Sequence, residues 1–504
     1  MDKYIKLQSN QSEFSSTANL CDFTIPAGGV YDLRDSFVNC VFKIDVTEVE
    51  TAAGNGVYNM DLEWITTDSE KPKFFNSALV RDCRMETANQ GVLESIRRVD
   101  ILSQAKQTYE KSWGEAKAES YMAADQVMDP INIQKYGIYR QYNKEGVNKS
   151  TDNNNVPVMI RLGDLMDVAN TPEYDTSKTG QTRIHFRLNL DKIQSVQRML
   201  NATIAPPAVK SFKKVDTVGA MNEITMGKSD GTETTLVRNL EEVPYYVGMK
   251  CLLTAVGAST PPAAAPAAVN DAAVVIKSIV WDKKNNTQGQ GGTYTLTFEN
   301  SWGALIAAQS YADITLKPQA PVASSSAKLV LAQLVLKTVT NPQGLDRIDY
   351  HTYSTEQGFG NAQENFNDVF VVEPECDNMI MTFQDGVDNL VSKNNQLESY
   401  QISVDNVPQT DRLVTANSPL DYDRKFTTLT RLGQGLHNLT GNAGNTASNS
   451  WGAAYSDAKF KSTIIACPLP TSDSVKQLAV NLNASAGGVG AYAIFKSLPR
   501  QLAL

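Results

Sequence analysis

Apolar and polar residues alternate over short stretches along most of this chain, and that period of two is what most limits its fold. Val38, Cys40, Phe42, Ile44 and Val46 share one side of a segment whose other side carries Asn39, Lys43 and Asp45. Ile184, Phe186, Leu188 and Leu190 alternate in the same way with His185, Arg187 and Asn189. Successive side chains of a strand point to opposite faces, so each segment predicts a half-buried β-strand. Gly and Pro punctuate the strands: Pro26, Gly28 and Gly29 break the ladder between Phe23–Ile25 and Val30–Leu33 and turn the chain. Many short strands without a repeating βαβ rhythm predict antiparallel sandwiches, not a parallel sheet.

At about 150 residues per domain, 504 residues suggest about three domains. A weak echo relates the halves. Pro157–Leu165 followed by Ile184–Leu190 resembles Ile464–Pro470 followed by Leu478–Leu482, so each half ends in a similar pair of strands. Between them, 206–321 shifts toward Gly, Thr and Ala with short strands such as Val274–Trp281 and Tyr294–Phe298. That stretch is expected to be an inserted β-rich subdomain. Ser259–Ala268, with three prolines, predicts an exposed extended loop. The run Lys328–Lys337 is nearly all apolar between two lysines and predicts a buried strand that resumes the interrupted first domain. The expected division is 1–205 plus 322–360, the insert 206–321, and 361–504. Helices are expected at about 77–122, where Ser, Ala, Leu, Glu and Gln dominate, at 191–200, and at 418–433. In the last, Ser418 caps, Pro419 opens, Gly433 closes, and Tyr422, Phe426 and Leu429 share a face.

Hydrophobic residues at 41% and charged residues at 20% are a globular composition. A formal charge of −9 argues against wrapping nucleic acid with the whole surface. No run of about 18 apolar residues spans a bilayer as a helix, and Met1–Ser9 lacks the apolar core of a secretory leader, so an intracellular product is expected. Accordingly Asn148, Asn201 and Asn438 are expected to stay unglycosylated, and Cys21, Cys40, Cys83, Cys251, Cys376 and Cys467, with no Cys-x-x-Cys pair, to be buried free thiols.

Catalytic chemistry has few places to reside. Only His185, His351 and His437 are present, each read as a satisfied strand or loop residue. Phosphate-loop, nucleophile-elbow, zincin and calcium-loop signatures do not occur, and Gly289–Thr293 precedes a strand, as a hairpin turn does. Asp164/Asp167 and Glu373/Glu375 are the acid pairs a glycosidase would need, though solvated faces explain such pairs as well. Lys3 and Lys6 are balanced by Asp2 and Glu13, so the N-terminus reads as a protein-contacting arm; Arg97-Arg98 and Lys213-Lys214 read as solvated pairs. No catalytic, cofactor-binding or metal-binding residue is assigned, and no cofactor is expected.

In Asp22–Leu33 (DFTIPAGGVYDL) with Ser36–Asn39 (SFVN), in Leu397–Asn406 (LESYQISVDN) with Thr410 and Arg412, and in Ile494–Arg500 (IFKSLPR), the chain resembles the double jelly-roll major capsid proteins of polinton-like viruses, virophages and adintoviruses, within the adenovirus and large-DNA-virus lineage. The resemblance spans nearly the whole chain; the insert 206–321 departs from it. It implies an all-β fold of two tandem antiparallel eight-stranded jelly rolls with short helices. It also implies a non-enzymatic subunit forming homotrimeric pseudo-hexagonal capsomers that tile the icosahedral shell of a dsDNA virus. Implied partners are further copies of the chain, penton proteins and minor or cement capsid proteins, without sequence-specific nucleic-acid binding. The implied location is the virion, after synthesis in the cytoplasm of the infected cell. Two competitors come from other classes: a carbohydrate-binding, adhesin-like tandem β-sandwich using its 19 tyrosines, and a β-sandwich glycoside hydrolase or lyase.

Overall fold

A computed structural model describes residues 3–43, 57–65, 75–110, 137–143, 155–199, 212–213, 223–226, 250–257, 269–282, 293–298, 311–318, 323–384, 386, 390, 397–410, 413–416, 418–431, 464–484 and 489–504. Ile44, Val46, the stretch 111–122, the loop 259–268, Gly289–Gly292, Gly433, His437, Asn148, Asn201 and Asn438, all singled out above, lie outside the described residues.

Alternation becomes burial. In β3 (Val30–Lys43), Val38, Cys40 and Phe42 are buried while Asn39, Val41 and Lys43 face the other way. This strand joins β1 (Lys3–Gln8), β19 (Lys328–Thr338) and β8 (Asn155–Arg161) in the order β1-β19-β3-β8. The facing sheet holds β2 (Leu20–Ile25), β10 (Thr182–Leu188), β5 (Val80–Thr87) and β6 (Gly91–Arg97) in the order β2-β10-β5-β6. Counted along the chain, these eight strands form sheets ordered 1-8-3-6 and 2-7-4-5.

The C-terminal half repeats that order. β20 (Arg347–Gln363), β28 (Val489–Ala503), β22 (Asn378–Gln384) and β26 (Ile464–Pro468) form one sheet in the order β20-β28-β22-β26. β21 (Asn365–Val372), β27 (Lys476–Ala484), β23 (Leu397–Val404) and the short β24 (Val407–Pro408) form the other, with β25 (Val414–Thr415) also on β23. Again the orders are 1-8-3-6 and 2-7-4-5, taking β24 and β25 as two parts of the fifth strand. Two antiparallel sheets wound in this order are a jelly roll, and the chain carries two of them in tandem. The echo seen in the sequence falls on the sixth and seventh strands of each: β8 and β10, then β26 and β27.

Further strands interrupt the first jelly roll along the chain, between its third and fourth, fifth and sixth, and seventh and eighth strands. β4 (Val57–Trp64), β7 (Gly137–Asn143), β11 (Ile193–Met199) and β18 (Ala323–Ser326) pair as β18-β11-β4-β7. Beyond them a six-stranded sheet runs β12-β17-β14-β15-β16-β13, built from Phe212–Lys213, Tyr311–Pro318, Lys250–Gly257, Val269–Asp282, Thr293–Phe298 and Glu223–Met226 respectively. Its buried side chains include Cys251, Leu253, Ile276, Leu296 and Phe298.

Four short α-helices accompany the described strands: α1 (Phe75–Ala78), α2 (Val99–Glu110), α3 (Thr176–Thr179) and α4 (Pro419–Arg431). Both α2 and α4 link the fifth strand of a jelly roll to its sixth. Asp175 caps α3 by accepting from Ser177 N at 2.8 Å, and Gly180 at φ +80° closes it.

Four expectations are corrected. Helix does not fill 77–122: β5 and β6 occupy its first half because Cys83, Met85, Leu93 and Ile96 have a core to bury in, and burial overrides local propensity. Residues 191–200 make one 3-10 turn, Leu190–Lys192, and then β11, whose ladder with β4 runs from Ile193↔Trp64 to Met199↔Tyr58. Residues 347–360, expected with the first unit, pair with β28 from Arg347↔Ala503 to Phe359↔Ala491 and belong to the second jelly roll. In α4, Leu429 is buried but Phe426 is 49% exposed. The buried face holds Asp421, Arg424, Lys425 and Thr428 instead, because Asp421 accepts from Tyr400 OH at 2.9 Å and from Lys425 Nζ at 2.8 Å.

Candidate functional site

The two jelly rolls meet at a buried polar joint. Strand β6 ends at Arg97, and the next residue, Arg98, turns the chain into α2 with a left-handed φ of 55° and donates its N–H to Asp82 Oδ1 at 3.0 Å. Asp100, in the first turn, accepts from Ile101 N at 2.9 Å, Arg98 Nε at 3.0 Å and Asn189 Nδ2 at 3.0 Å. Burial pushes the Asp100 carboxyl up, while Arg98 and these donors oppose it. Every residue from Val99 to Gln107 is buried, polar side chains included.

Farther along α2, Lys106 meets the carboxylate of Asp167 and lies 5.3 Å from the centre of the Tyr353 ring, a cation–π contact. Tyr353, on β20, donates its hydroxyl to Asp167 Oδ2 at 3.2 Å, so the second jelly roll grips the same carboxylate. Glu94 accepts from the backbone N–H groups of Asp167 at 3.2 Å and Val168 at 3.0 Å. Burial, and then the charge of Asp167, raise the Glu94 carboxyl to about 8, so it holds a proton at neutral pH. Around this centre Tyr350 OH donates to Leu93 O at 3.0 Å and Thr355 Oγ1 to Arg97 O at 3.1 Å. The Gln343 and Gly344 N–H groups donate to Glu173 at 2.6 and 3.0 Å, holding the chain between the two units. Chemically this arrangement fixes one relative placement of two sandwiches.

The residues weighed for catalysis are dispersed. His185 bridges Asp22 (Nδ1–Oδ1 2.7 Å) and Glu86 (Nε2–Oε1 3.3 Å) on a half-exposed sheet face. His351 stands 3.6 Å from Asp377. Asp167 is engaged in the joint by Lys106 and Tyr353. Glu373 takes the hydroxyl of Ser354 at 2.5 Å and faces the buried Lys496 at 3.4 Å, whereas Glu375 pairs with Arg500 at 2.9 Å. A groove of about 900 Å³ gathers Asp349, Tyr350, His351, Glu375, Asp473 and Arg500, but not Glu373. All six cysteines are free and buried, and burial pushes the Cys21 and Cys376 thiols up to about 12. Glu94, Lys106 and Tyr353 were not legible as a site. Lys106 alone left a trace, as a charge amid Ile101, Leu102 and Ala105.

The outer faces of the two 2-7-4-5 sheets differ in charge. On the first, Arg84 pairs with Glu86 at 2.7 Å and Arg187 with Asp82 at 3.8 Å, beside the His185 bridge. On the second, the rows Val369–Ala479–Ser403 and Asn367–Asn481–Gln401 cross three strands without an ionisable side chain.

No protein-family model and no curated protein matches the chain. Among solved structures it is similar to a chain of the Sputnik virophage (12% identity, 100% of this chain and 86% of that one, TM-score 0.37). It is also similar to the mavirus major capsid protein (9%, 99% and 86%, TM-score 0.32) and to the major capsid protein of Sulfolobus Turreted Icosahedral Virus (7%, 98% and 96%, TM-score 0.30). The strand order repeated in the two halves places the chain in the class of double jelly-roll proteins.

Proposed function

We propose that this chain is the major capsid protein of a dsDNA virus, a structural subunit and not an enzyme. One observation carries the reading: a single chain presents the same eight-stranded jelly roll twice and locks the two copies together through a buried joint. A subunit that offers two equivalent, rigidly joined blocks supplies two corners of a hexagonal tile, and three such chains supply six. The capsomer is then a homotrimer of pseudo-hexagonal outline, tiling an icosahedral shell with penton and minor or cement proteins as further partners. Its working location is the virion, after synthesis in the cytoplasm of the infected cell, and the shell encloses its genome without sequence-specific contacts from this chain. Within the chain, the strand pairing supports ending the first unit between β19 and β20, with 206–321 as the inserted subdomain.

Light scattering of the purified protein as it leaves a sizing column, with negative-stain imaging of the same peak, tests this. Three chain masses and a six-lobed outline are expected. A monomer at every concentration would overturn the reading.

A further inference from the structure

Lys106 and Asp167 bring a primary amine and a carboxyl group into contact, with side chains only 7% and 9% exposed. Lys106 comes from α2 and Asp167 from the 3-10 turn Asp167–Ala169, 61 residues farther on. In water such a pair stays ionic, because solvation favours the charged forms and the excess of water favours hydrolysis of an amide. Neither condition holds in the joint. Burial penalises both charges, and groups fixed in contact reach effective concentrations of about 10⁵–10⁸ M, far above that of bulk water.

Two further groups stand where a condensation of this pair needs them. Glu94 is buried, and its two oxygens accept from the N–H groups of Asp167 and Val168, so its carboxyl sits against the turn that carries Asp167. Burial, and then the charge of Asp167, keep it protonated at neutral pH, with Lys106 opposing. An ion pair has no use for a third carboxyl beside it, whereas a condensation needs a proton carrier. Tyr353 donates its hydroxyl to Asp167 Oδ2 at 3.2 Å, while Lys106 meets Oδ1. The two oxygens are thus already distinguished, one held by a hydrogen-bond donor and the other facing the amine. Burial, and then the charge of Asp167, hold the Tyr353 phenol well above its ordinary range, so it remains a donor.

We infer that Lys106 and Asp167 condense to an internal amide, a covalent bridge between α2 and the Asp167–Ala169 turn. The ion pair is the state of the chain before reaction. A proton first passes from Nζ of Lys106 to Oδ1 of Asp167, leaving a neutral amine and a carboxylic acid. Nζ then attacks Cγ, and the negative charge forms on Oδ2, where Tyr353 donates. Glu94 gives its proton to the departing Oδ1 hydroxyl and takes one from Nζ. One C–N bond forms, one C–O bond breaks and one water leaves; Glu94 ends as it began, and the balance needs no further reactant. Because Tyr353 belongs to the second jelly roll, the reaction waits until the two sandwiches have docked and then fixes α2 beneath them. The bridge concerns the joint alone and stands whether or not the chain builds a shell.

Mass spectrometry of the denatured full chain, sampled over days at neutral pH, tests it. Wild type should lose about 18 Da, one water. Trypsin should then release residues 99–111 joined to 162–178 through Lys106, with cleavage after Lys106 blocked. Lys106→Arg, which keeps the charge but lacks the amine nucleophile, should hold its full mass. Glu94→Gln and Tyr353→Phe, shown to be folded by circular dichroism, should slow the loss about a hundredfold. A wild type that keeps its full mass for weeks, or loses water without joining those two peptides, overturns the amide without recourse to any variant. Water loss at the wild-type rate in Glu94→Gln overturns the role given to Glu94.

Discussion

Replacing Lys106 with Met removes the positive charge that pairs with Asp167 in the joint and keeps the stem that fills the space above Tyr353. The side chains of Lys106 and Asp167 are 7% and 9% exposed, and Glu94 is buried beside them. Breaking a buried pair by deleting one partner costs about 3–5 kcal/mol, because the remaining charge is left uncompensated. At about 2–4 °C per kcal/mol for a unit of this size, melting should fall by about 6–20 °C. The loss should be smaller near pH 5 than near pH 8, since the carboxylates left behind can then take up protons. Calorimetry or urea unfolding of Lys106→Met, Asp167→Asn and the double variant forms the cycle; the double should cost at least about 2 kcal/mol less than the sum. Lys277→Met, exposed on a strand of the insert, supplies the baseline. A cost for Lys106→Met within about 0.5 kcal/mol of that baseline, or additivity within the same margin, would refute a buried ionic joint.

Glu94 gives a second pH signature. Its folded-state carboxyl is raised by burial to about 8 from an ordinary 4.5, so its contribution to stability is fully present below the lower value and is lost as pH rises through the upper. Glu94→Gln should therefore cost more near pH 5 than near pH 8.5 in denaturant titrations, and an equal cost would contradict the assignment. Tyr400→Phe leaves the buried Asp421 without its hydroxyl donor and should cost about 1–3 kcal/mol by thermal unfolding. Gly180→Ala should destabilise by about 1 kcal/mol or more, since the added Cβ adopts a left-handed backbone and stands 3.0 Å from Asn89 Oδ1; an unchanged melting point would count against the turn geometry.

What the sequence disclosed followed from one-sided burial. Strands such as β3 and β10, with one face in a core and the other toward solvent, alternate plainly, and their positions were readable. β5 and β6 were not, because Arg81, Arg84, Glu86 and Glu94 dilute the apolar pattern and helix-favouring residues surround it; only the opposite sheet makes strand the better state. The boundary near 340 was hidden for a related reason, since β20 mixes Tyr, Thr, Gly and Gln and draws its burial from both jelly rolls. The joint was least legible. Glu94, Lys106, Asp167 and Tyr353 are separated by as many as 259 residues, and nothing local marks them as neighbours. Buried polar groups are specified by what folding brings beside them.

The strands flanking the insert carry one more consequence. β11 and β18 pair directly, from Gln194↔Ser326 to Gln197↔Ala323, so the chain departs for the six-stranded sheet and returns along neighbouring tracks about 5 Å apart. Such a stem works as a socket: it places a narrow geometric demand on the ends of what is plugged into it and none on the size or shape of the body. Sequence between 200 and 322 can drift, lengthen or be exchanged with little effect on the register of β19 against β3. The part that sets the spacing of the blocks is thereby insulated from the part free to vary.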